Sequence, residues 1–157
     1  MNELALTRAL HVLGVVLWIG GVAFVTTVLL PAVQQLKSPA EQVEFFETVE
    51  RRFAWQARLS TLLVGISGFA IVQDWDLWAR FADGRFWWMH AMVAVWLLFT
   101  AMLFVAEPLF LHRWFIARAR RDPGGTFQRI EIMHRLLLTV SLIVVAGAVI
   151  GSHGGLS

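Results

Sequence analysis

Residues 9–33, ALHVLGVVLWIGGVAFVTTVLLPAV, carry no charge and are interrupted only by His11, Thr26 and Thr27. A helix crossing ~30 Å of hydrocarbon needs about 20 apolar residues, within a working range of about 17–25. This run is long enough on its own. Two further stretches meet the same test: residues 86–106, uncharged with one histidine, and residues 136–152, largely apolar and uncharged throughout. A fourth, 59–73, is uncharged but short, and crosses only if Arg58 snorkels or the helix runs on toward Trp78. Lipid cannot satisfy an open backbone and no long alternating pattern occurs, so the spans are helices rather than barrel strands. The expected fold class is all-α: a transmembrane four-helix bundle in one domain, with spans at about 6–33, 56–78, 84–111 and 133–152.

Composition agrees with that class. Of 157 residues, 58% are hydrophobic and only 15% charged, where a soluble domain is nearer half apolar and a quarter charged. Hardly any of the 13 basic and 11 acidic residues fall inside the apolar runs. This excludes a soluble enzyme and a disordered tail. A pI near 10.4 suggests a polyanion partner, but a net charge of +2 is too small for nucleic acid. Cysteine is absent, which excludes disulfides, thiolate metal sites and covalently attached haem. The first run far exceeds a signal-peptide core and no small-residue cleavage site follows, so it is expected to remain as a span.

Four spans put both termini on one side. The loops joining spans one to two and three to four hold Lys37, Arg51, Arg52, Arg58, Arg113, Arg118, Arg120, Arg121, Arg129 and Arg135; the other side holds Arg8, Arg80 and Arg85. By the positive-inside rule the basic loops are cytoplasmic, and both termini face the outer, periplasmic side of a bacterial-type inner (plasma) membrane. Trp75, Trp78, Trp87 and Trp88 then form an outer aromatic belt, with Trp55 and Trp114 near the inner interface. In the first basic loop, Ser38-Pro39-Ala40-Glu41 reads as a capping box with proline at the first helical position. Val43, Phe46, Val49 and Phe53 follow at helical spacing, predicting an amphipathic helix over 39–53 that lies at the interface and runs into span two. The second basic loop turns at Asp122-Pro123-Gly124-Gly125.

An ionisable residue inside a span is costly and marks a functional candidate. His11 and His90 fall at similar depth on spans running the same way, and two imidazoles across a slot are what the iron of a b-type haem takes as axial ligands. Span one supplies a matching stripe, His11, Gly14, Trp18 and Gly21, in which the glycines admit a flat ring close to the backbone. The same glycines, with Gly65, Gly68, Gly147 and Gly151, also suit plain helix packing. His112 and His134 at the inner ends form a second, less favoured pair: His90 and His112 are 22 residues apart, ~33 Å of helix at 1.5 Å per residue, which places that site among headgroups. His153 reads as a solvated residue after span four, or as a competitor of His90 for the iron. Met89, His90 and Met92 make a soft cluster that offers copper(I) as an alternative. Asp74, Asp76 and Asp83 read as solvated loop carboxylates, and Glu107-Pro108 as a helix-end kink. Nothing signals a nucleophile–base triad or a phosphate-cradling loop.

These residues carry a resemblance. Arg8-Ala9-Leu10-His11 with Trp18-Ile19-Gly20-Gly21 resembles the opening span of the CopD-like and HemJ-type membrane families. Glu50-Arg51-Arg52-Phe53 leading to Gly68 is similar to their second helix, and Trp88-Met89-His90-Ala91-Met92 to the HemJ-type third helix. The resemblance implies a four-helix bundle binding b-type haem, with His11 the best-matched ligand and His90 the next. It also implies copper handling on the CopD side and protoporphyrinogen IX oxidation on the HemJ side. The chain departs from the HemJ pattern at Met92, where that family has lysine, and at Ile130-Glu131-Ile132-Met133-His134, which replaces an Asn-Glu-Val-Pro segment.

The expected function is therefore a small cytochrome-b-like protein holding one haem b. It would pass electrons between a membrane donor or quinone and an outward-facing acceptor, such as a periplasmic or membrane redox subunit. His11 and His90 would hold the iron, Gly14, Trp18 and Gly21 would shape the pocket, and Arg8 and Arg85, or Arg51 and Arg52, would meet the propionates, depth favouring the first pair. The alternatives are copper transport, a divergent porphyrinogen oxidase, and a haem-free structural subunit associating through the GxxxG of Gly147 and Gly151.

Overall fold

A computed structural model describes residues 3–36, 38–119 and 121–155, so Lys37 and Arg120 of the basic loops lie outside the described residues. The all-α class holds: no strand occurs among the described residues, and four helices are each long and apolar enough to cross a membrane. They are α1 (Glu3–Gln34), α2 (Pro39–Asp74), α3 (Gly84–Ala119) and α4 (Pro123–Ser152). The chain runs up and down, so both termini share an end with the 75–83 loop. The basic loops share the other end, where Gln34 hydrogen-bonds Glu131 at 2.7 Å.

The helices begin and end on identifiable chemistry. Ser38 is the N-cap of α2 with Pro39 in the first turn, as the capping box requires, but its hydroxyl makes no capping bond. Gln42 reaches back to the Leu36 carbonyl at 2.8 Å. Asp122 caps α4, accepting from the Gly125 N–H at 2.9 Å, so the sequence read as a turn starts a helix ten residues before the expected span. α2 and α4 close the same way at the terminal end. The N–H of Asp76 bonds Gln73 and that of Leu77 bonds Val72; the N–H of Gly154 bonds Gly151 and that of Gly155 bonds Ile150. Both are Schellman closures that need a left-handed residue, supplied by Asp76 (φ 51°) and Gly154 (φ 79°). Aspartate is one of the few side chains that tolerates this region.

The predicted extent of span two is corrected. The helix does not run on toward Trp78; it stops at Asp74, and Trp78–Ala82 is a short 3-10 turn. Its extra length lies at the other end. Residues 39–53 run into span two as expected, without a break, as the first part of one 36-residue helix. At 1.5 Å per residue such a helix is ~54 Å long, well beyond the hydrocarbon thickness. The apolar stripe predicted over 39–53 is real, but protein covers it. Val43 and Phe46 pack with Leu30, Val33, Phe115 and Phe127, and the rings of Phe46, Phe115 and Phe127 meet at 5.0–5.7 Å. A second cluster, Trp18, Ile19, Val22, Val64 and Phe99, holds the middle of the bundle.

Glycines set the helix contacts. A Cβ at Gly14 would meet Val64 at 2.9 Å, and one at Gly21 would run into the Phe53 ring, so both glycines of the α1 stripe receive side chains of α2. Gly147 and Gly151 face Trp87 and Trp88 of α3. The GxxxG of α4 is therefore consumed inside the chain and is not a free association surface. Gly65 faces the Trp96 indole, whose N–H donates to the Thr61 carbonyl at 2.9 Å. Gly65→Leu forces that ring out and breaks its hydrogen bond, an expected loss of about 1–3 kcal/mol, measurable as a lowered unfolding midpoint in micelles.

Candidate functional site

His11 sits on α1 against α2. Ser67 gives its hydroxyl proton to the Leu63 carbonyl at 2.5 Å. Its oxygen, 3.1 Å from His11 Nδ1, is therefore the acceptor and Nδ1–H the donor. That fixes the neutral ring in the tautomer whose Nε2 keeps its lone pair, the arrangement by which a second partner orients a metal-ligating histidine. Gly68 lies under the ring: a Cβ there would stand 3.1 Å from His11 Cε1. Two turns along the stripe, Trp18 is buried with its ring edge-on to Phe99 at 5.0 Å. Its indole N–H finds no acceptor among the described residues, and the buried Thr61 hydroxyl likewise finds no partner.

His90 is placed differently. Its Nε2 donates to the Phe81 carbonyl at 3.0 Å, and its ring meets the Phe81 ring at 5.3 Å. Phe81 contacts Trp78, and Trp78 stacks edge-on against Phe69 of α2. His11 is thus bonded to α2, while His90 is bonded to the 75–83 loop, which reaches α2 through this aromatic chain.

The remaining candidates are also accounted for. His112 lies at the basic-loop end beside Glu50 and Glu107. His134 Nδ1 donates to the Ile130 carbonyl of its own helix at 2.9 Å. His153 is the C-cap of α4, its Nδ1 bonded to Val149 at 2.8 Å. Met89 is buried while His90 is exposed, so the expected soft-metal cluster does not converge on one point. Arg8 lies 4.9 Å over the Trp75 ring. Arg85 makes a forked contact with Asp83 at 2.7 and 3.0 Å. Both arginines expected at the propionates thus already have partners.

The Arg85 side chain and backbone N–H hold the Asp83 carboxyl below its ordinary value. Because the folded value is the lower one, the contact is complete above the unfolded carboxyl range near ~3.9 and is lost only as pH falls through the depressed value. Carboxyl-carbon NMR of Asp83 should therefore show no titration between pH 5 and 7, and Arg85→Gln should move its midpoint upward. A midpoint unmoved by that substitution contradicts the assignment.

One site was not anticipated. Residues 102–111 of α3 form a π-helix containing Pro108. In that register residue 108 would donate to the Leu103 carbonyl, but proline has no N–H. Arg58 of α2 fills the gap: its Nε donates to the Leu103 carbonyl at 3.1 Å and its guanidinium pairs with Glu107. Glu50, Glu107 and His112 have ligand atoms within 4.8 Å of one another. Arg58 had been read as a snorkelling residue and Glu107-Pro108 as a kink. The available signal was two opposite charges entering adjacent spans at matched distance from the basic loops.

No protein-family model, characterised protein or solved structure matches the chain significantly. Functional inference therefore rests on the residues themselves.

Proposed function

We propose that the chain is a multi-pass protein of a bacterial-type plasma membrane that binds one haem b through His11 and takes part in electron transfer. The observation that carries this reading is the state of His11: an imidazole in an uncharged stretch of α1, Nδ1 bonded to Ser67, the Nε2 lone pair left over and glycine beneath the ring. These residues would suit His11 as a ligand to haem iron. His90, the other expected ligand, has its Nε2 bonded to the Phe81 carbonyl of the 75–83 loop. Gly14 and Gly21 support helix packing rather than a slot. The buried Trp18 N–H is a donor available to a polar group of a ligand on the same stripe.

When bound, haem supplies one-electron redox chemistry. The chain's part is to hold the ligand nitrogen in one tautomer, to exclude water with Trp18 and Phe99, and to keep the site within the apolar part of the bundle. Ten basic residues at one end against three at the other support cytoplasmic basic loops and outward termini. His11 then lies near the outer leaflet, within reach of an outward-facing acceptor, and a quinone or membrane subunit serves as donor. Membership of the CopD-like and HemJ-type group is part of the same proposal. Its copper and porphyrinogen-oxidase branches draw no support from a convergent set of side chains here.

Protein purified in mild detergent after expression with ample haem should show Soret and alpha bands in a reduced-minus-oxidised spectrum. A colourless, folded preparation overturns the proposal.

A further inference from the structure

A groove of about 410 Å³ opens between α1 and α2, within the ~300–1,000 Å³ typical of small-molecule sites. Its apolar floor and walls include Leu17, Gly20 and Phe24 of α1 with Phe53 of α2, and Arg52 and Gln56 are the polar residues of the α2 wall. Leu17 and Phe24 are exposed, so the groove faces the surroundings of the bundle rather than its core. Nothing lies within 4 Å of a Cβ built at Gly20, which leaves the floor open.

Arg52 has no counter-ion. It makes no ion pair or hydrogen bond among the described residues, unlike Arg58, Arg85 and Arg135. Its neighbours one helical turn away are Thr48, Val49, Trp55 and Gln56, none of them acidic, and α1 offers no carboxylate after Glu3. An open apolar groove lined on one wall by a guanidinium unpaired among the described residues, on helices apolar enough to cross a bilayer, is complementary to one class of molecule.

We infer that this groove binds one anionic phospholipid, its phosphate at Arg52 and one acyl chain over Gly20 between α1 and α2. Arginine suits a phosphodiester because its planar fork donates two hydrogen bonds at once, and the missing side chain at Gly20 lets the acyl chain lie close to the α1 backbone. The site contains no histidine, so its test requires no haem and does not depend on the redox proposal.

Native mass spectrometry of the purified full chain, incubated with phosphatidylglycerol or phosphatidylcholine, reads retained lipid directly. The wild type should retain one phosphatidylglycerol per chain with a preference of about fivefold over phosphatidylcholine, the worth of one basic residue at an anionic lipid surface. Arg52→Gln should abolish the preference. Gly20→Leu, whose Cβ meets no protein atom within 4 Å, should displace both lipids while leaving the helical circular dichroism and the unfolding midpoint in lipid-free detergent unchanged. Arg51→Gln, adjacent but outside the groove, should keep the wild-type preference, and inorganic phosphate alone should not compete. Equal retention of the two lipids by the wild type, a preference that survives Arg52→Gln, or its loss in Arg51→Gln overturns the inference.

Discussion

Arg58→Ala is expected to cost about 2–3 kcal/mol of stability, somewhat below the ~3–5 of a fully buried ion pair that loses one partner. The reduction reflects partial exposure: the Arg58 and Glu107 side chains are 26% and 24% accessible. The substitution strands two groups at once. Glu107 loses its cation, and the Leu103 carbonyl, deprived of a backbone donor by Pro108, loses the Nε–H that replaces it. The two losses can be separated. Pro108→Ala restores an N–H to the helix, so Arg58→Ala should cost measurably less in that background. Glu107→Gln removes the charge but leaves the Arg58–Leu103 bond, and should cost less than Arg58→Ala. Unfolding midpoints in micelles check all three. An Arg58→Ala effect within ~0.5 kcal/mol of wild type, the range of an ordinary surface substitution, contradicts the account of this site.

The second large effect is expected at His11. His11→Ala removes the histidine of α1, held by Ser67 with its Nε2 lone pair left over, and should eliminate bound haem. Ser67→Ala leaves the imidazole but frees Nδ1, losing the partner that sets its tautomer. Removing such an orienting partner weakens a metal site by about 10–100-fold, so Ser67→Ala should retain haem only at high haem supply. His90→Ala should retain it fully, because that ring serves the 75–83 loop through Phe81.

Much of the fold was legible because burial in lipid demands long uncharged runs, and four such runs define the helices directly. Their ends were less legible. The apolar stripe Val43, Phe46, Val49, Phe53 is the same whether lipid or protein covers it, and only the positions of Phe115 and Phe127 show that protein does. Likewise Asp122-Pro123 can break a chain or start a helix; the capping bond to Gly125 decides it. At the candidate site, helical spacing puts His11, Gly14, Trp18 and Gly21 on one stripe of α1, but spacing along one helix cannot show what fills a glycine notch. Val64 and Phe53 do. Equal depth of His11 and His90 likewise cannot show what each ring bonds; Ser67 and the Phe81 carbonyl do. The Arg58–Glu107 site was hidden because its cause is a missing N–H, which becomes visible only when the π-helical register of α3 is known.

The most direct measurement is the haem-to-protein ratio of the wild type, His11→Ala and His90→Ala, purified side by side and read by absorption. The account requires about one haem per chain in the wild type and in His90→Ala, as expected for one site held through His11 of α1, and none in His11→Ala. Haem retained by folded His11→Ala, or lost equally from both variants, would contradict it.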